Sequence, residues 1–226
     1  MKNFIQNNRF LNPIAKAIYF TLIEPLKSFS GSEDYWIKRY NSGGNSGAGS
    51  YHKLAKFKSD ILNDIIKNNQ ISTIIEYGCG DGNQVRSSKY PSYIGFDVSS
   101  IAIKNCRDIF SNDSTKTFKI MNAYANEKAE LTLSLDVIYH LIEDDVFYTY
   151  MERLFNSSTK LVVIYSSDIE KQYRYQASHV KHRKFSTWVK KNKPEWEMSL
   201  HIPNIYPYSD NNTNGSFADF YIYNKV

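Results

Sequence analysis

The sequence predicts a doubly wound α/β domain, and three observations carry the prediction. From Thr73 onward, short apolar runs alternate with amphipathic or polar segments, the pattern of a mainly parallel sheet covered by helices on both faces. The first run leads directly into a glycine-rich turn, Gly78-Cys79-Gly80-Asp81-Gly82, at the carboxyl end of a strand, where open α/β sheets bind ligands. The last two runs are separated only by the Pro/Asn/Gly-rich stretch 203–216, too little for a crossover helix. They are therefore expected to pair antiparallel as a C-terminal hairpin.

The elements follow in chain order. Residues 1–34 read as helical, with breaks at Pro13 and Pro25 and a stop near Ser30-Gly31. Tyr35-Trp36-Ile37-Lys38-Arg39-Tyr40 is an aromatic and basic stretch that runs into the glycine loop Gly43 to Tyr51. Leu54, Phe57, Ile61, Leu62, Ile65 and Ile66 then fall on one side of an amphipathic helix over Lys53–Lys67. Seven strands are expected at Thr73–Tyr77, Tyr93–Asp97, Thr117–Met121, Leu131–Leu135, Leu161–Tyr165, Glu197–Ile202 and Phe217–Tyr223. The helices between them include Ser100–Phe110, Asp144–Leu154 and Lys181–Lys191. The chain divides into an N-terminal helical segment with a glycine-rich lid, 1–52, and the α/β domain proper, 53–226. It contains no internal repeat.

Composition narrows the partners. The net charge of +5, from 28 basic and 23 acidic residues, suits an anionic ligand but offers no track for a nucleic acid. No basic arm, zinc module or RNA-binding aromatic motif appears, so no nucleic-acid partner is expected. The two cysteines, Cys79 and Cys106, read as reduced thiols of a cytoplasmic protein. No apolar run reaches the roughly 18 residues of a membrane span. The segment 14–26 is interrupted by Lys16, Glu24 and Pro25 and reads as a packed helix without stable membrane insertion; the start lacks a signal-peptide pattern. Asp144 and Asp145 are adjacent on a helix start and do not face one cation together, so no metal is expected.

The strongest motif is Glu76-Tyr77-Gly78-Cys79-Gly80-Asp81-Gly82-Asn83. A dinucleotide fingerprint would place its third glycine where Asn83 stands. The E-x-G-x-G-x-G spacing resembles instead the first motif of class I S-adenosylmethionine-dependent methyltransferases. Asp97 lies 21 residues after Glu76 at the tip of the next strand, where a carboxylate can take both hydroxyls of a ribose; alternatively, Asp97 or Ser99 caps the following helix. Leu131 to Leu141, with Asp136 and His140, resembles the fourth-strand motif of the same superfamily. Asn122-Ala123 falls where that superfamily contacts the adenine, with Asn in place of its usual Asp. The resemblance covers about residues 55–226. It implies a Rossmann-like, seven-stranded sheet, S-adenosyl-L-methionine as cofactor, and a cofactor site made of Glu76, Gly78, Cys79, Gly80, Gly82, Asn83, Asp97, Val98, Ser99, Asn122, Ala123 and Asp136.

Two stretches, Tyr35 to Tyr51 and His179-Val180-Lys181-His182-Arg183-Lys184-Phe185, resemble a narrower bacterial group associated with capsule and surface-polysaccharide assembly, including methylated phosphoramidate capsule decoration. That resemblance implies O-methyl transfer to a small sugar, nucleotide sugar or phosphorylated precursor. The glycine loop is expected to close as a lid over cofactor and acceptor, with Tyr40, Asn45 and Ser46 at the acceptor. His140 is the first candidate for a base that takes a hydroxyl proton, with Tyr51, His179 and His182 in reserve. For an anionic acceptor, His179, His182 and Arg183 are expected to hold the phosphate. Two other classes stay open on the sequence: a nicotinamide-dependent oxidoreductase and a non-catalytic nucleotide-binding module.

Overall fold

The computed structural model describes residues 18–23, 29–173, 176–209 and 214–226. The helical expectation over residues 1–17 and 24–28, including both proline breaks, lies outside the described residues, and Tyr19–Ile23 forms a single π-helical turn. Seven strands follow: β1 (Thr73–Tyr77), β2 (Ser92–Asp97), β3 (Lys116–Ile120), β4 (Ala129–Leu135), β5 (Ser158–Ser166), β6 (Trp196–Ile202) and β7 (Asp219–Lys225). They make one sheet in the order β3-β2-β1-β4-β5-β7-β6. The first five pair in parallel, and β7 runs antiparallel between β5 and β6, as the short 203–216 connection requires.

Alternation along the strands explains why both faces are covered. Ile74 on β1 and Leu161, Val163 and Tyr165 on β5 join one core cluster. Ile75, Tyr77, Val162 and Ile164 join the other. Helix α2 (His52–Asn68) and α3 (Ser100–Ile109) pack on the first face through Phe57, Leu62, Ile65, Ile66, Ile103 and Cys106. Helix α4 (Asp144–Asn156) and α5 (Phe185–Asn192) cover the second through Phe147, Met151, Leu154, Phe155, Phe185 and Val189. Each fully buried Leu, Ile or Phe contributes about 1.5–3 kcal/mol. The chain leaves β1 toward β2 and returns on its other side at β4, so a crevice opens between the carboxyl ends of β1 and β4.

Two expectations need correction. Residues 32–41 form a further helix, here α1 (Ser32–Asn41), so the segment read as the end of one helix and an aromatic stretch is one new element. Its start is capped from a distance: Glu143 accepts hydrogen bonds from the Ser32 amide at 2.9 Å and the Ser32 hydroxyl at 2.5 Å. No local cap residue signals it. The helix expected at Lys181–Lys191 begins only at Phe185. Residues 181–184 are held extended along 139–144, where the Lys181 amide donates to the Tyr139 carbonyl at 2.8 Å.

Candidate functional site

The crevice at the end of β1 is shaped by the glycine turn. Gly78 and Gly80 have φ of 82° and 58°, a left-handed conformation that other residues adopt only with strain. The amides of Gly78 and Cys79 both donate to the Phe96 carbonyl, at 2.7 and 3.0 Å, which fastens the turn to β2. A Cβ at Gly80 would collide with the Ser46 hydroxyl and the Tyr40 phenol. Gly82 serves packing: a Cβ there would lie 3.0 Å from Cys106 and 3.1 Å from Phe110.

Asp97 ends β2 facing this turn. Its carboxylate accepts from the Gly80 amide at 3.0 Å and the Ser99 amide at 2.8 Å. Burial raises its carboxyl to about 6 in spite of these bonds. Glu76, fully buried, accepts from the Tyr93 hydroxyl at 2.7 Å, and burial raises it to about 7. Ser99 caps α3, accepting from the Ala102 amide at 3.3 Å, so the capping alternative is realised by Ser99 while Asp97 faces the crevice.

A cavity of about 320 Å³ opens here, a size suited to a small-molecule ligand. Among the residues expected to bind cofactor, Glu76, Gly78, Cys79, Gly80, Asp97, Val98 and Asp136 line it. Gly82, Asn83, Ser99, Asn122 and Ala123 do not. Asn122 and Ala123 are exposed in a turn over Met121–Ala123, and Met121 is the residue of that turn that reaches the cavity. Asn83 donates instead to the Ser50 carbonyl at 2.6 Å, tying the turn to the glycine loop.

Sequence reasoning missed three contributors, Lys58, Trp36 and Tyr150, which join the expected Asp136 and Tyr40. Lys58 is fully buried, lines the cavity and pairs with Asp136 at 2.5 Å. Its signal was a lysine on the apolar stripe of α2, four residues from both Leu54 and Leu62. Asp136 itself has φ 60° at the end of β4, backbone strain of the kind that collects at functional sites. From α1, Trp36 and Tyr40 roof the cavity, and Tyr150 reaches it from α4.

His140 also lines the cavity. Its Nδ1 lies 2.8 Å from the His179 carbonyl, which can only accept, so Nδ1 carries the proton and Nε2 keeps its lone pair. Burial lowers its pKa to about 4, leaving a neutral imidazole. Trp36 meets its ring edge-on at 5.0 Å.

The remaining candidates are placed elsewhere. His182 is buried, bonded to the Ser167 hydroxyl at 2.7 Å and outside the cavity. Arg183 donates to the Leu141 and Ile142 carbonyls at 3.1 and 2.8 Å, pairs with Asp144 at 2.7 Å and covers the Phe147 ring. His179 stacks on Tyr35 at 4.1 Å and supports His140 through its carbonyl. Of the cations in the expected phosphate cluster, Lys181 and Arg183 are engaged with Ile142, Leu141 and Asp144, and Lys184 is exposed. Tyr51 donates to Asp81 at 2.7 Å, and burial together with that bond raises its phenol to about 12, which unsuits it as a base. Tyr40 and Ser46 share a 2.8 Å hydrogen bond at the cavity wall. Asn45 is exposed and holds the loop, its carbonyl accepting from Arg39 at 2.6 Å.

Comparison with solved structures gives the same fold. The chain is similar to the N-methyltransferase NodS from Bradyrhizobium japonicum WM9 in complex with S-adenosyl-L-homocysteine, at TM-score 0.66 and 12% identity over 87% of this chain and 99% of that one. It is similar to magnesium protoporphyrin IX methyltransferase (ChlM) from Synechocystis PCC 6803 with bound S-adenosylmethionine, at TM-score 0.56 and 10% identity over 95% and 96%. It is also similar to the methyltransferase domain of bacterial CtHen1, at TM-score 0.57 and 17% identity over 74% and 96%. No family model and no curated protein matches the sequence. At these identities the likeness establishes the Rossmann-like α/β fold that this chain shares with these methyltransferases.

Proposed function

We propose that the chain is an S-adenosylmethionine-dependent methyltransferase acting on a small, hydroxyl-bearing acceptor. The observation that carries this reading is the pairing of a left-handed glycine turn with the buried Asp97 carboxylate in one cavity between β1 and β4. The residues fit the cofactor. Asp97 presents a carboxylate to the ribose hydroxyls, and Val98, Met121 and Val137 offer apolar surface to the base. Gly78 and Gly80 let the backbone come close to the amino-acid chain, with the Lys58–Asp136 ion pair and the buried Glu76 carboxyl beside it as polar partners.

Bound S-adenosylmethionine supplies an electrophilic methyl group, activated by the positive charge on sulfur. The protein's task is mainly alignment and exclusion of water. Helix α1 roofs the cavity with Trp36 and Tyr40. His140 stays unprotonated at neutral pH and offers Nε2 to the acceptor's hydroxyl, a weak base with its pKa at about 4 whose ring is oriented by the His179 carbonyl and the Trp36 edge.

For the acceptor, a small sugar precursor of a surface polysaccharide is the finer reading. It rests on the resemblance of residues 35–51 and 179–185, and an aromatic wall of Trp36 beside His140 supports it. The phosphoramidate-type and other anionic acceptors lose their support, because Arg183 and Lys181 are engaged with Asp144 and with backbone carbonyls. Transfer of labelled methyl from S-adenosylmethionine to a panel of sugars and nucleotide sugars tests the reading. His140→Ala should lower turnover by about 10²–10⁴-fold while S-adenosylhomocysteine affinity stays within about two-fold. Full turnover in that variant would remove His140 from the chemistry.

A further inference from the structure

Resting on the cofactor reading above, we propose that Asp81 is a clasp that locks the glycine loop over the cofactor, so that cofactor exchange is gated by its release. Asp81 lies in the glycine turn, yet its side chain turns outward to the loop that follows α1. The carboxylate accepts from the Ser46 amide at 3.0 Å, from the Tyr51 hydroxyl at 2.7 Å and from the Asn83 amide at 3.1 Å. The Asp81 amide in turn donates to the Ser46 hydroxyl at 3.0 Å, and Asn83 donates to the Ser50 carbonyl at 2.6 Å. Both ends of the loop are thus fastened to one turn, near Ser46 at one end and at Ser50 and Tyr51 at the other.

The fastening lies directly on the cavity. Ser46 and Tyr40 press on Gly80 where a Cβ would stand, and Gly49 comes so close to Asp136 that a Cβ there would lie 2.8 Å from its carboxylate. The loop therefore spans from the glycine turn to the end of β4, across the mouth between β1 and β4. Four glycines in the nine positions 43–51 give the segment freedom to swing once released. Among the described residues, Asp81 gathers donors from both ends of the loop. A ligand held beneath it leaves when these bonds part, and a new one enters by the same opening.

A gate changes kinetics in a way a simple ligand contact does not. Loosening it raises association and dissociation rates together, whereas losing a contact raises dissociation alone. Stopped-flow binding of S-adenosylhomocysteine to the full chain and to Asp81→Ala, which loses both loop bonds to the carboxylate, should show both rates rising by at least about ten-fold. The double variant Ser46→Ala/Tyr51→Phe removes the hydroxyl that accepts from the Asp81 amide and the hydroxyl that donates to its carboxylate, while the Asp81 carboxylate and the Ser46 amide bond to it stay. It should show the same paired rise, and it carries the test if Asp81→Ala fails to fold. Rates equal to wild type, or a rise confined to dissociation, would overturn the clasp and leave the cofactor reading standing. Absence of S-adenosylhomocysteine binding to the wild type would overturn both.

Discussion

Asp97 and Glu76 are two buried carboxyls at the carboxyl end of the sheet, raised to about 6 and about 7 because burial disfavours their charged forms. The sign for ligand binding follows from which form accepts hydrogen bonds. Above about 6 the Asp97 carboxylate is ionised and can accept from two ligand hydroxyls under the proposed cofactor reading; below it the neutral carboxyl loses acceptor capacity. S-adenosylhomocysteine affinity should therefore fall as pH is lowered through about 6, measured by calorimetry across pH 5 to about 8. Asp97→Asn should bind more weakly by roughly 1.5–3 kcal/mol at neutral pH and lose the inflection. An unchanged profile in that variant would assign the titration to another group. At this scale the glycine turn and Asp97 were legible, since strand, turn and acid follow one another in sequence. Lys58 was not drawn out, because its partner Asp136 is distant in sequence and only the fold brings them together.

Among the elements, the central strands β1, β4 and β5 were legible as apolar runs because they are buried on both faces, whereas the edge strands β3 and β6 are far less buried and were legible from their place in the alternation of strands and helices. Helix α1 was not. Its apolar signal is weak, and its cap comes from Glu143 across the fold. The partners of Lys181 and Arg183 were illegible for the same reason: a basic run reads as a ligand site until its tertiary contacts are known. Arg183 is about 13% exposed at its side chain and bonds two carbonyls of the turn that carries His140. Arg183→Ala should lower stability by about 2–3 kcal/mol in chemical denaturation, through the lost carbonyl bonds and the uncovered Phe147 ring. S-adenosylhomocysteine affinity should change little, because Arg183 is outside the cavity. A variant of wild-type stability with a raised acceptor Michaelis constant would return Arg183 to the acceptor site.

For the molecule as a whole, the switch from β1 to β4 creates the crevice, and α1 with the glycine loop closes it. Among the described residues no helix is long and apolar enough to cross a membrane. The central claim is that this crevice is built for S-adenosylmethionine, and titration calorimetry with S-adenosylhomocysteine, beside NAD as a competitor class, tests it most directly. The account predicts saturable binding of one S-adenosylhomocysteine per chain, with a melting temperature that rises with ligand concentration, and no comparable response to NAD. No heat and no thermal shift at saturating S-adenosylhomocysteine, or tight binding of NAD in its place, would contradict it.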